Sequence, residues 1–337
     1  MTVLPDKLAN LSMVRIGLSA SSFILLPSSF AMKTLRPYLV LALVAIGSLV
    51  IAADEVLEQG SMVVKVAGDC KFTEGPVIDP EGNLLFSDGA NDRIMRLSTD
   101  GKLSVFRQPC GRTNGMKFDA QGRLLMCQST GAGGKRRVAR LEKDGTETVM
   151  ADRYAGQPFN APNDLTVDRQ GRIYFTDPAV APQGEKPSLP SGVYRIDAPG
   201  QVSLVVSNII RPNGILLTPD NKLLYLSDRG TQKLHRYEVQ SDGSLKPAGI
   251  VYDFSPDRGV DGMCLDVEGN IYAAAGQNET TGLWVVSPSG NLLLHKPMPE
   301  FSTNVAFGGA DMRDLYLTAS TSVYRLRTVR AGLKLGK

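Results

Sequence analysis

The chain has 337 residues, of which 34 are Gly and 20 Pro; 42% are hydrophobic, 21% are charged, and the formal net charge is +3. This balance excludes intrinsic disorder, and a positive charge so small and dispersed excludes an electrostatic nucleic-acid binder. Four Cys and two His leave no disulfide scaffold and almost nothing for a zinc or haem site.

The first element is a leader. From Leu39 to Ala53 the chain carries no charge, with Lys33 and Arg36 before this run and Asp54 and Glu55 after it. A basic flank, a short apolar run and the small pair Ala52-Ala53 make a secretory signal pattern, and the run is shorter than the roughly 20 residues that span a bilayer. Residues 1–53 are therefore set apart, with Met32 as a candidate true start that reduces the signal peptide to 32–53. Residues 54–337 are expected to form one secreted or periplasmic domain with no stable membrane span; an uncleaved, membrane-anchoring leader is the alternative. In an oxidising compartment Cys70 and Cys110 are the candidate disulfide, whereas Cys127 and Cys264 lie in apolar runs that suit buried free thiols.

Beyond the leader one phrase recurs: a polar residue, a short apolar stretch, a turn with Gly or Asp-Asn, a second apolar stretch, and often Asp. The six copies are Glu74 to Asp88, Asn114 to Gln128, Asn163 to Asp177, Asn213 to Asp228, Asp261 to Ala275 and Asn304 to Ala319. Their openings are spaced by 40, 49, 50, 48 and 43 residues, the period of β-propeller blades. Each copy reads as an antiparallel hairpin followed by two further strands, as in Arg93 to Leu97 and Leu103 to Arg107, and no long segment has helical periodicity. The expected fold is an all-β, six-bladed β-propeller of four-stranded antiparallel blades. Met62 to Ala67 supplies the last strand beside Ser322 to Leu326 and closes the ring.

The first strand of each blade lines the central channel, so Glu74, Asn114, Asn163, Asn213, Asp261 and Asn304 form a ring at one mouth. Converging amides and carboxylates, with no Lys, Arg or His among them, suit one hard divalent cation. Ca²⁺ fits a large, irregular oxygen ring best, ahead of Mg²⁺, Mn²⁺ or Zn²⁺. The loops between second and third strands lie on the same face. Among them Asp177 to Gly192 carries four prolines, a candidate stiff lid or a plain solvated loop. Gln128 to Arg137 only superficially looks like a phosphate loop, since Ser129 and Arg136 occupy required Gly and Ser/Thr positions. His235 and His295 fall on outer strands, and no Gly-x-Ser-x-Gly or Cys-x-x-Cys occurs, so a triad hydrolase is not expected.

Together, Glu74-Gly75-Pro76, Asn163-Asp164, Arg211-Pro212-Asn213-Gly214, Asp261-Gly262-Met263-Cys264-Leu265-Asp266 and Phe307 to Thr318 resemble the senescence marker protein (regucalcin)/gluconolactonase/luciferin-regenerating-enzyme family of six-bladed propellers. The resemblance extends from Met62 to about Thr328. It implies metal ligation by Glu74, Asn163, Asn213 and Asp261, with Asn114, Asn304 and Asp164 facing a small-molecule substrate. The arginine that contacts sugar in animal members is replaced by Ala161, and Arg112 is the candidate to supply that contact from the neighbouring blade. The implied activity is metal-dependent hydrolysis of an aldono-1,5-lactone or 1,4-lactone, with Asp261 as ligand and general base. Asp261→Asn is then expected to abolish turnover while retaining the fold. A metal-dependent aryl esterase or phosphotriesterase, and a non-catalytic binding propeller with a structural ion, are the competing functions.

Overall fold

The computed structural model describes residues 56–333; the leader and its proposed cleavage site lie outside them. Six four-stranded antiparallel sheets follow in chain order. Their innermost strands are Thr73–Ile78, Thr113–Phe118, Leu165–Val167, Pro212–Leu217, Met263–Leu265 and Ser302–Gly308. The sixth blade is built from Ser302–Gly308, Asp314–Ala319 and Ser322–Arg327, and the N-terminal strand Val64–Ala67 pairs with the last of these, Lys65 opposite Tyr324. The six-bladed propeller and its closure by the N-terminal strand are as the repeat predicts. Among the described residues the only helical pieces are two 3₁₀ turns, Gly89–Asn91 and Asn278–Thr280, and no helix is long and apolar enough to cross a membrane.

Each part of the repeated phrase has a physical task. The turn Asp holds its hairpin shut: Asp79, Asp119, Asp168 and Asp266 each accept the backbone N–H of the residue four positions on, at 2.7 to 2.9 Å. Gly82, at φ +91°, supplies a left-handed residue that such a turn requires. The closing Asp ties down the segment that leads into the ring. Asp88 accepts from the N–H groups of Lys71 and Phe72, Asp177 from Asn160 and Ala161, and Asp228 from Ile210 and Arg211. In the second blade Gln128 replaces this Asp, and Asp92 takes over by accepting from the N–H groups of Cys110 and Arg112. Second strands such as Leu84–Asp88 and Ile173–Asp177 are buried along their whole length, because their two faces pack against neighbouring blades.

The spacing of 49 residues between the second and third openings has its cause in a small hairpin, Arg153–Tyr154 with Gln157–Pro158, which the repeat did not reveal. The expected Cys70–Cys110 disulfide is a correction: all four cysteines are free. Cys70 packs with Phe86, Met95 and Val323, whereas Cys110 packs with Met116, Met126 and Ala139 and donates to Asp92 at 3.4 Å. Burial pushes both thiols up to about 11, which suits inert packing more than exchange chemistry. His235 lies on a third strand and His295 on an outermost one.

Candidate active site at the channel mouth

The ring residues stand where the ladders of the innermost strands are broken. Pairing slips between Glu74 and Val77 in the first blade, between Thr113 and Met116 in the second and between Pro212 and Ile215 in the fourth. In the third and fifth blades the strand begins only after the ring residue. Such bulges release a side chain from strict alternation and re-aim it. The freed backbone groups bond to the next blade instead: Gly115 N–H donates to Asn163 O at 2.8 Å, and Gly262 N–H to Thr303 O at 2.8 Å. This close approach explains the Gly that follows several ring residues. A Cβ on Gly214 would overlap the Asp261 carbonyl, and one on Gly262 would overlap the Asn304 side chain. Gly262→Ala is expected to displace Asn304 and to lower stability by about 1–3 kcal/mol, the usual range for overpacking, read as a lower denaturant midpoint with unchanged m.

The structure brings Glu74, Asn304 and Asp261 together as buried groups, with Asn213 also buried and Asn114, Asn163 and Asp164 partly so. Glu74 Oε2 accepts from Asn304 Nδ2 at 2.9 Å and from Gly75 N–H at 2.7 Å, and Glu74 has no ion pair among the described residues. Burial, followed by the nearby negative charge of Asp261, pushes the Glu74 carboxyl up to about 8. Asn163 Oδ1 is buried without any hydrogen-bond partner, and Asn213 uses no side-chain bond among the described residues. Asn114 Nδ2 donates to Asn163 O at 3.3 Å. Arg112 lies against Gly131 of the neighbouring loop. Asp164 stands where the first, second, fourth and fifth openings carry Gly and reaches the next blade, where Ile215 N–H points at its Oδ2 from 3.4 Å.

Three charged groups were missed from the sequence. Arg258 is buried and tied by Nε to Gly276 O (2.8 Å), by Nη1 to Asp261 Oδ2 (2.6 Å) and by Nη2 to Ser302 O (2.6 Å). Its guanidinium also covers the Phe301 ring at 4.0 Å. Arg229 Nη1 reaches the same Asp261 oxygen at 3.2 Å, and its Nε is buried without a partner. The two negative charges read from the ring are thus partly compensated by these two arginines. Lys117, on the innermost strand of the second blade, is the third; burial lowers its ammonium below the ordinary lysine range, with Asp164 opposing. Burial raises Asp164 to about 6, against its bond from Leu165 N–H and the charge of Lys117.

Among the described residues no three His, Cys, Asp or Glu side chains gather closely enough to hold a metal ion, so any ion here depends on amide oxygens. The ring does offer them. Asn163 Oδ1 is an orphaned acceptor, Glu74 has no countercharge in contact, and Asp261 Oδ1 is unengaged because both arginines take Oδ2. This donor set of neutral and anionic oxygens fits a hard divalent cation.

A six-bladed propeller with an oxygen-lined, partly cationic mouth is the class that fold and site define. Residues 72–321 match the SMP-30/Gluconolactonase/LRE-like region, and the chain belongs to that family. It is 30% identical over 311 residues to a gluconolactonase of Zymomonas mobilis, covering 83% of this chain and 85% of that one. A lactonase of Staphylococcus haemolyticus is 27% identical over 63% of this chain and 65% of its own length. Among solved structures, a Xanthomonas campestris gluconolactonase is 28% identical with a TM-score of 0.73, covering 82% of this chain and 92% of that one. An Agrobacterium tumefaciens regucalcin, 20% identical with a TM-score of 0.66 over 81% of this chain and 95% of its own, shares the fold.

Proposed function

We propose that this protein is a lactone hydrolase that works with one divalent cation, Ca²⁺ before Mg²⁺, Mn²⁺ or Zn²⁺, and opens an aldono-1,5-lactone or 1,4-lactone to the sugar acid. Its gluconolactonase and lactonase relatives support the lactone-hydrolysing class. The observation that carries the cation is the pairing of an unpartnered, buried Asn163 Oδ1 with a buried Glu74 carboxyl that no cation touches. Glu74, Asn163, Asn213 and Asp261 would hold the ion, which when bound supplies Lewis-acid polarisation of the lactone carbonyl.

The chain's own residues do the rest. Asp261, held in place by the two arginines on its Oδ2, accepts the proton of the attacking water as that water adds to the carbonyl carbon. When the acyl carbon–ring oxygen bond breaks, the ring oxygen takes the proton that Asp261 had accepted and leaves as the alcohol of the same molecule, and the new acid group loses the water's second proton to solvent and becomes a carboxylate. Asn114, Asn304, Asp164 and Arg112 are the candidates to orient the hydroxyl groups of the lactone. We also propose that residues 32–53 direct export, on the pattern of charge and apolar length; cell fractionation with N-terminal sequencing of the native protein tests this.

Titrating acid release at constant pH across sugar lactones, aryl esters and a fluorophosphate, before and after chelation and with metal content measured on the same sample, tests this reading. The expected result is fastest turnover on an aldonolactone, loss with chelator and recovery with Ca²⁺. Faster turnover of aryl esters or the fluorophosphate would replace lactone with the ester class. Metal-linked stability with no turnover of any of them would make the ring a structural ion site.

A further inference from the structure

Asp261 Oδ2 is held by two guanidinium groups of very different standing. Arg258 comes from the segment that enters the fifth blade, is buried, and spends all three of its donor nitrogens on fixed partners, two of them backbone carbonyls. Removing it from Asp261 would break a buried arrangement in which each of its own donor nitrogens is satisfied. Arg229 comes from the loop between the second and third strands of the fourth blade, on the mouth face. Among the described residues its only side-chain hydrogen bond is the 3.2 Å approach to Asp261, its Nε is buried without any acceptor, and its side chain retains 19% exposure. A buried donor left unpaired is costly, so this arginine is better satisfied by an additional acceptor than by what the protein alone offers.

The acceptor must be anionic, planar and able to lie beside Asp261, the residue assigned to the hydrolytic water. Guanidinium forks match carboxylates bidentately, using Nε and one Nη in parallel, and Nε is the nitrogen that stands idle. We propose that Arg229 is the binding residue for the carboxylate of the ring-opened acid: it turns from Asp261 Oδ2 to the product carboxylate, while Arg258 stays and keeps Asp261 in place. This rests on the lactonase reading. Because the intact lactone is neutral and the product is an anion, Arg229 contributes more to product affinity than to substrate affinity, and it also relieves Asp261 of facing a newly formed negative charge unscreened.

Gluconate serves as the probe, titrated calorimetrically into metal-loaded full-length protein, alongside product-inhibition kinetics with glucono-1,5-lactone. R229Q is expected to weaken gluconate binding and raise its inhibition constant tenfold or more, with a smaller change in KM and unchanged metal content; R229K recovers only part, lacking the fork. Unchanged gluconate affinity in R229Q beside an active wild type overturns the inference and leaves the lactonase reading standing. Wild-type protein that turns over no lactone overturns the reading itself. Should R229Q not fold, phenylglyoxal labelling of wild-type protein replaces it: saturating gluconate is expected to shield Arg229, and equal labelling with and without gluconate overturns the inference.

Discussion

Asp261→Asn is expected to lower kcat by about 10²–10⁴-fold, the usual contribution of a positioned general base, and also to weaken the fold. The second half of that expectation differs from what the sequence alone suggests. Asp261 is the anionic partner of Arg258, and both side chains are more than nine-tenths buried at 2.6 Å separation. Burial already pulls the Arg258 guanidinium below its ordinary range, with Asp261 the main opposing influence. An amide in place of the carboxylate still accepts a hydrogen bond but leaves the guanidinium charge in a poorly solvated site. Breaking one partner of such a pair costs about 3–5 kcal/mol. A denaturant midpoint within error of wild type, together with lost activity, would show that the pair contributes little to stability; near wild-type kcat would remove Asp261 from the base role.

Glu74→Gln is expected to separate stability from ion binding. In the metal-free protein burial raises the Glu74 carboxyl from 4.5 to about 8. Unfolded chains ionise this group from about pH 4.5 upwards while the folded chain resists until about pH 8, so this residue makes metal-free stability fall as pH rises through that window. Gln has no proton to lose. Metal-free Glu74→Gln should therefore melt higher than wild type by a margin that grows from pH 4.5 to pH 8 and then levels. Saturating Ca²⁺ should reverse the order, because the wild type binds it more tightly by on the order of 100-fold, ligand charge being the main control of affinity at oxygen sites. Melting curves across pH, with chelator and with Ca²⁺, read both effects; a margin that shrinks with rising pH would contradict the burial of the charge.

The architecture was legible because it is written six times. A single Asn before a strand is an ordinary turn residue, but six such openings at blade-like spacing locate a ring, and the closing Asp that recurs at 88, 177 and 228 turned out to hold the approach to that ring. What occurs once was not legible. Arg229 and Arg258 have no counterparts on the ring carboxylate or amide of the other copies, so periodicity gave no reason to place them on Asp261; the available signal, for Arg229 alone, was its place in a mouth-facing loop. Lys117 offered a plainer one, as a charged residue three positions after a ring residue on a strand that lines the channel. Cys70 and Cys110 failed for a different reason: pairing depends on which packing group each thiol joins, and linear spacing does not carry that information.

The closure of the sixth blade ties the two ends of the domain into one act of folding. Val64 pairs with Arg325, 261 positions away, and the tail returns further, Val329 N–H bonding to Val56 O and Leu333 N–H to Leu265 O. A strand that is synthesised first and paired last spends the whole of translation as an open edge, and long-range pairings of this kind slow folding. A chain cut short before Ser322 would lose the partner of its first strand along with its last, and the damage would appear at the opposite end of the sequence from the lesion.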